Sequence, residues 1–325
     1  MPQHASRPSL LERAAEIYDF SSGALIAPLP VPERAAPEPV VQAPEPVVEA
    51  APVVVVEAPR PVAPAPAAEA PRLIRRAAAR PSRLATVDRE RMREAGFLLP
   101  DGTGSGPLAE ELRLVKRHLL QAVAARKDVP ESKRRSVLVA SAQPDEGKTF
   151  CALNLALSLA GERDIEVLLV DGDFPKPEVL THLGIEAGPG LVDALADPAA
   201  DAESFVVRTD IEGLSVLPAG RQANNVPELL ASERTREVLA ALAEADPRRI
   251  ILFDSPPVLM ASSAGVLASH VGQVLVVVRA DTTVEADLKE AVGLLSASND
   301  IALVLNGAGF AASGRRFGQY EGIEP

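Results

Sequence analysis

A glycine, a lysine and a hydroxyl residue stand together in Gly147-Lys148-Thr149, after a short apolar run from Val137 to Ser141 and a tight loop. The pattern reads as a strand, a loop and a helix that begins near Thr149. At such a junction, successive backbone N–H groups and the positive end of the helix face one point, which suits an anionic polyphosphate. Lys148 would reach the β- and γ-phosphates, and the Thr149 hydroxyl would ligate Mg²⁺. The match to G-x-x-x-x-G-K-S/T is incomplete, because Ala142 stands where the first glycine belongs. A Gly-Lys-Thr alone is also an ordinary helix start, so the motif needs company.

Two more segments supply it. Val167-Leu-Leu-Val-Asp171-Gly-Asp173 reads as a buried parallel strand with two carboxylates at its C-terminal end, where open α/β sheets place ligands. Ile250-Ile-Leu-Phe-Asp254 is another apolar strand ending in a carboxylate, the pattern of a Walker B. Mg²⁺ is held by few protein oxygens and retains waters, so carboxylates from these strands beside Thr149 suffice. Any one such Asp reads equally as a cap or turn residue. Three at strand ends downstream of Lys148 and Thr149 read as a nucleotide site.

Strands are expected near 136–141, 166–171, 213–217, 250–254, 273–279 and 301–306, and helices near 149–162, 190–196, 227–245, 262–269 and 284–296. Buried runs such as Val274 to Val278 alternate with helices long enough for crossovers. The fold class is therefore α/β, a P-loop NTPase fold whose mostly parallel sheet carries helices on both faces. Leu108, Leu112, Val115, Leu119 and Val123 recur at helical spacing and mark the domain's opening helix.

The chain has 325 residues, 47% hydrophobic, with 30 Pro, 21 Gly, 8 Phe, 2 Tyr and no Trp, enough for one domain of about 200 residues and something that is not a domain. Residues 1–20 are read as a short N-terminal helix and 21–106 as a disordered Pro/Ala-rich linker. Its Ala-Pro-Glu-Pro-Val-Val repeats favour an extended chain, and its Arg72–Arg93 part is read as a solvated helical connector, the alternative being a contact for an acidic partner or a membrane surface. The domain spans 107–306, and 307–325 form a flexible tail with Tyr320. A net charge of −12 argues against a general nucleic-acid binder. The single Cys151 excludes an internal disulfide framework, and the four His have no metal-ligand spacing. No apolar run approaches the roughly 20 residues that span a bilayer, and the N-terminus lacks a signal-peptide pattern, so a cytoplasmic protein is expected.

These motifs together resemble the bacterial tyrosine kinases, P-loop autokinases of exopolysaccharide export, over roughly residues 107–325. The resemblance is carried by Ser141–Thr149, Asp171-Gly-Asp173-Phe-Pro-Lys-Pro, Phe253-Asp254-Ser-Pro-Pro and Glu110-Glu-Leu-Arg113-Leu-Val-Lys116. Leu217-Pro-Ala-Gly220 and Pro227-Glu-Leu-Leu230 add to it. With Ser-Leu-Leu-Glu-Arg-Ala near the start and the Pro-rich spacer, the chain is most similar to the exosortase-associated (PEP-CTERM locus) tyrosine autokinases.

The resemblance implies an ATP- and Mg²⁺-dependent protein-tyrosine kinase that transfers the γ-phosphoryl group to a C-terminal tyrosine of a neighbouring subunit. Lys148, Asp171 and Asp173 would be catalytic. Gln143, Pro144, Asp145, Glu146, Gly147, Lys148, Thr149 and Phe150 would hold the phosphates, and Asn306 would read adenine. Thr149, Asp173 and Asp254 would support the metal, and Tyr320 would accept phosphate. It also implies a homo-oligomeric ring built through Glu110, Arg113 and Lys116. A transmembrane polysaccharide co-polymerase, or chain-length protein, would activate the kinase and hold it at the inner membrane.

The sequence departs from that family in two ways. Asp145 occupies a position where a glycine is usual, putting a carboxylate into the phosphate loop and a side chain where positive φ is needed. The tail carries one tyrosine instead of a cluster. Both features suit an alternative, a regulatory ATP-binding protein with little catalysis. A partitioning- or Min-type switch ATPase is the other rival. It would need a lysine near the start of the loop, where this chain has Gln143.

Overall fold

The computed structural model describes residues 83–100, 106–298 and 300–308. The expected helix within 1–20, the Pro/Ala-rich stretch and Tyr320 lie outside the described residues.

Eight strands form one sheet: β1 (Arg83–Ala85), β2 (Ser136–Ser141), β3 (Glu166–Asp171), β4 (Val207–Thr209), β5 (Leu214–Leu217), β6 (Arg249–Asp254), β7 (Gln273–Arg279) and β8 (Ile301–Asn306). Their order is β1-β4-β5-β3-β6-β2-β7-β8. All neighbours are parallel except β4 and β5. Between them run α1 (Arg89–Glu94), α2 (Pro107–Ala125), α3 (Glu131–Arg134), α4 (Lys148–Ala160), α5 (Val179–Leu183), α6 (Leu191–Ala196), α7 (Val226–Leu230), α8 (Glu233–Ala245), α9 (Ser262–Ala268) and α10 (Glu285–Leu294).

The period-2 alternation of a strand sends neighbouring residues to opposite faces, and here both faces are covered. Leu138 and Ala140 join one apolar cluster with Leu239 and Leu242 of α8 and Leu267 of α9. Val137 and Val139 join another with Leu153, Leu157 and Leu159 of α4 and Leu119 of α2. The six longer strands lie where the apolar runs predict them.

Three features differ from the sequence pattern. The expected helix over 227–245 is two helices, α7 and α8, broken at Ala231-Ser232. There the Ser232 and Thr235 hydroxyls both donate to the Leu229 carbonyl, at 2.6 and 2.9 Å, offering the chain an alternative to helical bonding. The short strands β1 and β4 carry no apolar run that would announce them.

The third difference is the start of the folded region. The Arg-rich composition predicts a linker up to residue 106, but residues 83–99 pack onto the sheet. Met92 is fully buried, with Val87, Phe97 and Leu99 close to it in exposure. Two polar anchors far along the chain hold this segment. Val87 donates its N–H to Asp210 Oδ1 (2.8 Å), and Leu98 donates its N–H to Asn154 Oδ1 on α4 (2.9 Å). The Phe97 ring lies 5.3 Å from that of Phe150. Among the described residues, no helix is long and apolar enough to cross a membrane.

Candidate active site

Parallel strands β2, β3 and β6 are neighbours at the middle of the sheet, so their C-terminal ends share one edge. The loop after β2 leads into α4 through Gly147, whose φ of 94° lies in the left-handed region. Glycine is needed there for a second reason: a Cβ would stand 2.2 Å from Asn306 Nδ2. Asp145, two residues earlier, also takes positive φ, 60°, a conformation that Asp accepts at a cost of about 1 kcal/mol. Its exposed side chain leaves the negative charge at the loop's mouth.

Lys148 opens α4 and makes an ion pair with Asp173 Oδ2 at 3.0 Å, both side chains being largely buried. Thr149 follows, also buried. Asp171 and Asp254 end β3 and β6 as register partners. Between them, Gly172 donates its N–H to the Asp254 carbonyl (2.8 Å). A Cβ at Gly172 would meet that oxygen at 2.6 Å, so glycine is what lets the two strand ends close.

The two carboxyls are held differently from Asp173. Asp171 Oδ2 accepts the Val179 N–H at 3.1 Å, and its Oδ1 has no partner. Burial, followed by the Asp254 charge, pushes the Asp171 carboxyl up to about 8. Burial pushes Asp254 up to about 7, against the pull of the Thr149 hydroxyl and the Lys148 charge. Thr149 favours the Asp254 anion, yet neither Asp254 oxygen meets a donor at full hydrogen-bonding geometry.

Buried oxygens without donors are costly unless something positive meets them. Mg²⁺ fits this donor set. Among the described residues no three or more His, Cys, Asp or Glu side chains form a metal cage. A cation here would therefore complete its shell with the Thr149 hydroxyl, phosphate oxygens and water, as Mg²⁺ ordinarily does. Asp173, expected beside the metal, is here the ion-pair partner of Lys148.

Other expected residues take more specific positions. Asn306, at the end of β8, donates from Nδ2 to the Glu146 carbonyl (2.9 Å) and so braces the phosphate loop. Gln143 donates from Nε2 to Asp287 Oδ2 on α10 (2.9 Å). Pro144 is exposed at the loop tip, and half-buried Phe150 packs against Phe97. On α2, Glu110 and Arg113 pair with each other on the surface. Lys116 turns inward to Glu162 (2.6 Å) and the Ser158 carbonyl (3.0 Å).

No family model matches the chain. The tyrosine-protein kinase YwqD of Bacillus subtilis is 34% identical over 177 residues, which are 53% of this chain and 72% of YwqD. The chain belongs to the bacterial tyrosine-protein kinases. EpsB of Ralstonia nicotianae is 31% identical over 206 residues, 62% of this chain but 26% of EpsB. The chain thus spans about a quarter of the length of that longer curated relative. Among solved structures, the kinase domain of Escherichia coli tyrosine kinase ETK superposes with a TM-score of 0.55 at 25% identity, covering 64% of this chain and 78% of that one. Membership in this kinase family accounts for the phosphate loop and the strand-end carboxylates together.

The sequence pattern did not single out Thr283, Arg279 or Asp287, all of which reach the phosphate loop from the β7–α10 side. Their signal is a short polar turn after an apolar strand, which is ordinary in sequence. Only the neighbouring position of β7 and β2 brings that turn to the loop.

Proposed function

We propose that this chain is an ATP-dependent protein-tyrosine autokinase of an exopolysaccharide pathway, transferring the γ-phosphoryl group to Tyr320 of a neighbouring copy. The observation that carries the reading is the convergence of Lys148, Thr149, Asp171, Asp173 and Asp254 at one edge of the sheet. Backbone N–H groups of the loop and the start of α4 hold the phosphates, and the Lys148 ammonium moves from Asp173 to the polyphosphate. Thr149 and Asp254 would hold Mg²⁺, which would neutralise charge on the phosphates.

The phenol oxygen forms its bond to the γ-phosphorus as the bond from that phosphorus to the bridging oxygen breaks, leaving ADP. The phenol proton passes to the ionised form of Asp171, whose raised pKa makes it a stronger base than an ordinary carboxylate. Asp173 positions Lys148 before the nucleotide arrives. A membrane-embedded polysaccharide co-polymerase would activate the chain and recruit it to the inner membrane. Neighbouring copies would meet through the α2 surface carrying Glu110 and Arg113.

Asp145 favours a second reading, a nucleotide-binding regulator without transfer, because its charge opposes the incoming polyphosphate. Purified full-length chain incubated with γ-labelled ATP and Mg²⁺, with and without the cytoplasmic part of a co-polymerase, separates the two. An autokinase gives label on tyrosine that Tyr320→Phe removes and Lys148→Ala abolishes together with ATP binding. ATP binding with no labelled tyrosine in either condition would leave the regulator as the answer.

A further inference from the structure

Glu146 lies inside the phosphate loop and is 2% exposed. A carboxylate buried beside a polyphosphate site is a liability unless its oxygens are committed elsewhere. They are. Oε2 accepts the Gln143 N–H from across the loop (2.9 Å), and Oε1 accepts the Thr283 hydroxyl. The Thr283 oxygen in turn accepts the Arg279 N–H (2.8 Å), which fixes its rotamer and leaves its proton to point at Glu146. Arg279 Nη1 also donates to the Asp145 carbonyl (3.3 Å), and Asn306 Nδ2 to the Glu146 carbonyl. The Ala280 N–H donates to the Asn306 carbonyl (2.8 Å), so the turn and the end of β8 form one unit.

Resting on the reading of this loop as the ATP site, we propose that Thr283 is a positioning residue for ATP. Its hydroxyl joins the β7–α10 turn to the Glu146 carboxylate and so holds the loop in its phosphate-binding shape. The physical reason is that Asp145, on one side of Glu146, holds a left-handed backbone that a non-glycine residue would otherwise relax, while Gly147 on the other side takes the same region freely and so leaves the loop flexible there. Glu146 lies between them and is held at three points, both carboxylate oxygens and the backbone carbonyl. Without the Thr283 hydroxyl, one oxygen of the buried Glu146 carboxylate loses the donor it has among the described residues. The loop then has to open to hydrate it, which moves the amides that should face the phosphates. Thr283 touches no reacting atom, so its effect falls on affinity for ATP and not on the transfer step.

The test uses the full chain and four variants: Thr283→Val, which keeps the shape and removes the hydroxyl, Thr283→Ser, which restores it, Glu146→Gln, and the Thr283→Val/Glu146→Gln double. MgATP affinity is measured by calorimetry, tyrosine labelling gives KM and kcat, and amide hydrogen exchange of residues 143–149 is followed without nucleotide. Thr283→Val should weaken ATP binding about tenfold, the loss expected for a hydrogen bond to a charged group. It should raise KM with little change in kcat and speed exchange in the loop. Thr283→Ser should return to within about twofold of the natural chain. Glu146→Gln should weaken binding from the other end of the same contact, and the double variant should be no worse than the poorer single one. Unchanged exchange and binding in Thr283→Val, failure of serine to rescue, or additive losses in the double would each overturn the proposal. If the natural chain took up no ATP, the nucleotide reading would fall, while the exchange rates would still judge the latch by themselves.

Discussion

Asp171 and Asp254 are register partners on adjacent parallel strands, two buried carboxyls side by side with three of their four oxygens lacking a donor. A protein selected for stability alone would not keep that arrangement, since each unmet oxygen costs free energy. Its presence at the strand ends beside Lys148 and Thr149 is what a cation and an anionic ligand would relieve. The fold tolerates the pair because Gly172 lets the strands close and because the neighbouring Asp173 carries the lysine.

Asp254→Asn should therefore separate stability from function. Removing the buried charge is expected to stabilise the nucleotide-free protein by about 1–2 kcal/mol, read as a rise in the urea midpoint. The same variant should lose Mg²⁺-dependent ATP binding. A destabilised variant that binds MgATP normally would contradict both halves of the prediction.

Gly147→Ala places a Cβ at positive φ and against Asn306 Nδ2. We expect it to cost about 1–2 kcal/mol in thermal or urea melts and to weaken MgATP binding. Asp145→Gly should do the reverse at the neighbouring strained position. It relieves the left-handed aspartate and withdraws a negative charge, so ATP should bind several-fold more tightly in calorimetry.

Met92→Ala tests where the folded region begins. The side chain is fully buried, so truncation should cost about 2–5 kcal/mol, which a denaturant melt will register. A chain beginning at residue 107 should melt lower than one beginning at residue 83. If Met92 belonged to a solvated connector, both changes would be silent.

His270 supplies a pH dependence. Its Nε2 lies 2.8 Å from the Leu230 carbonyl, and burial holds its pKa below the usual 6.5, against that hydrogen bond. The unfolded chain therefore takes up a proton before the folded one does. Its contribution to stability is present in full above about pH 6.5 and is lost as pH falls through the lower folded value. Half-buried His182 shifts in the same direction, burial again being the main cause. Between pH 8 and pH 5 the raised Asp171 and Asp254 carboxyls add stability as pH falls, so the histidine contribution is read by difference: on going from pH 8 to pH 5 the urea midpoint of His270→Gln should rise further than that of the natural chain.

The sequence by itself determined the six longer strands, the two-sided burial of the central ones and the residues that meet at the sheet edge. Those features are local: apolar runs of Val, Ile and Leu imply parallel strands, and the runs of β2, β3 and β6, leading to a Gly-Lys-Thr loop or ending at Asp, mark the ligand-facing ends. Tertiary structure alone decided the rest. Residues 83–99 join the core through Asp210 and Asn154, partners too far along the chain for any local pattern to name. Lys116 turns to Glu162, and Asn306 turns to the phosphate loop. Thr283 meets Glu146 only because β7 pairs with β2, setting a turn with no distinguishing composition beside the loop it holds. Short polar segments take their roles from what the sheet order brings next to them, and sheet order is a property of the whole chain.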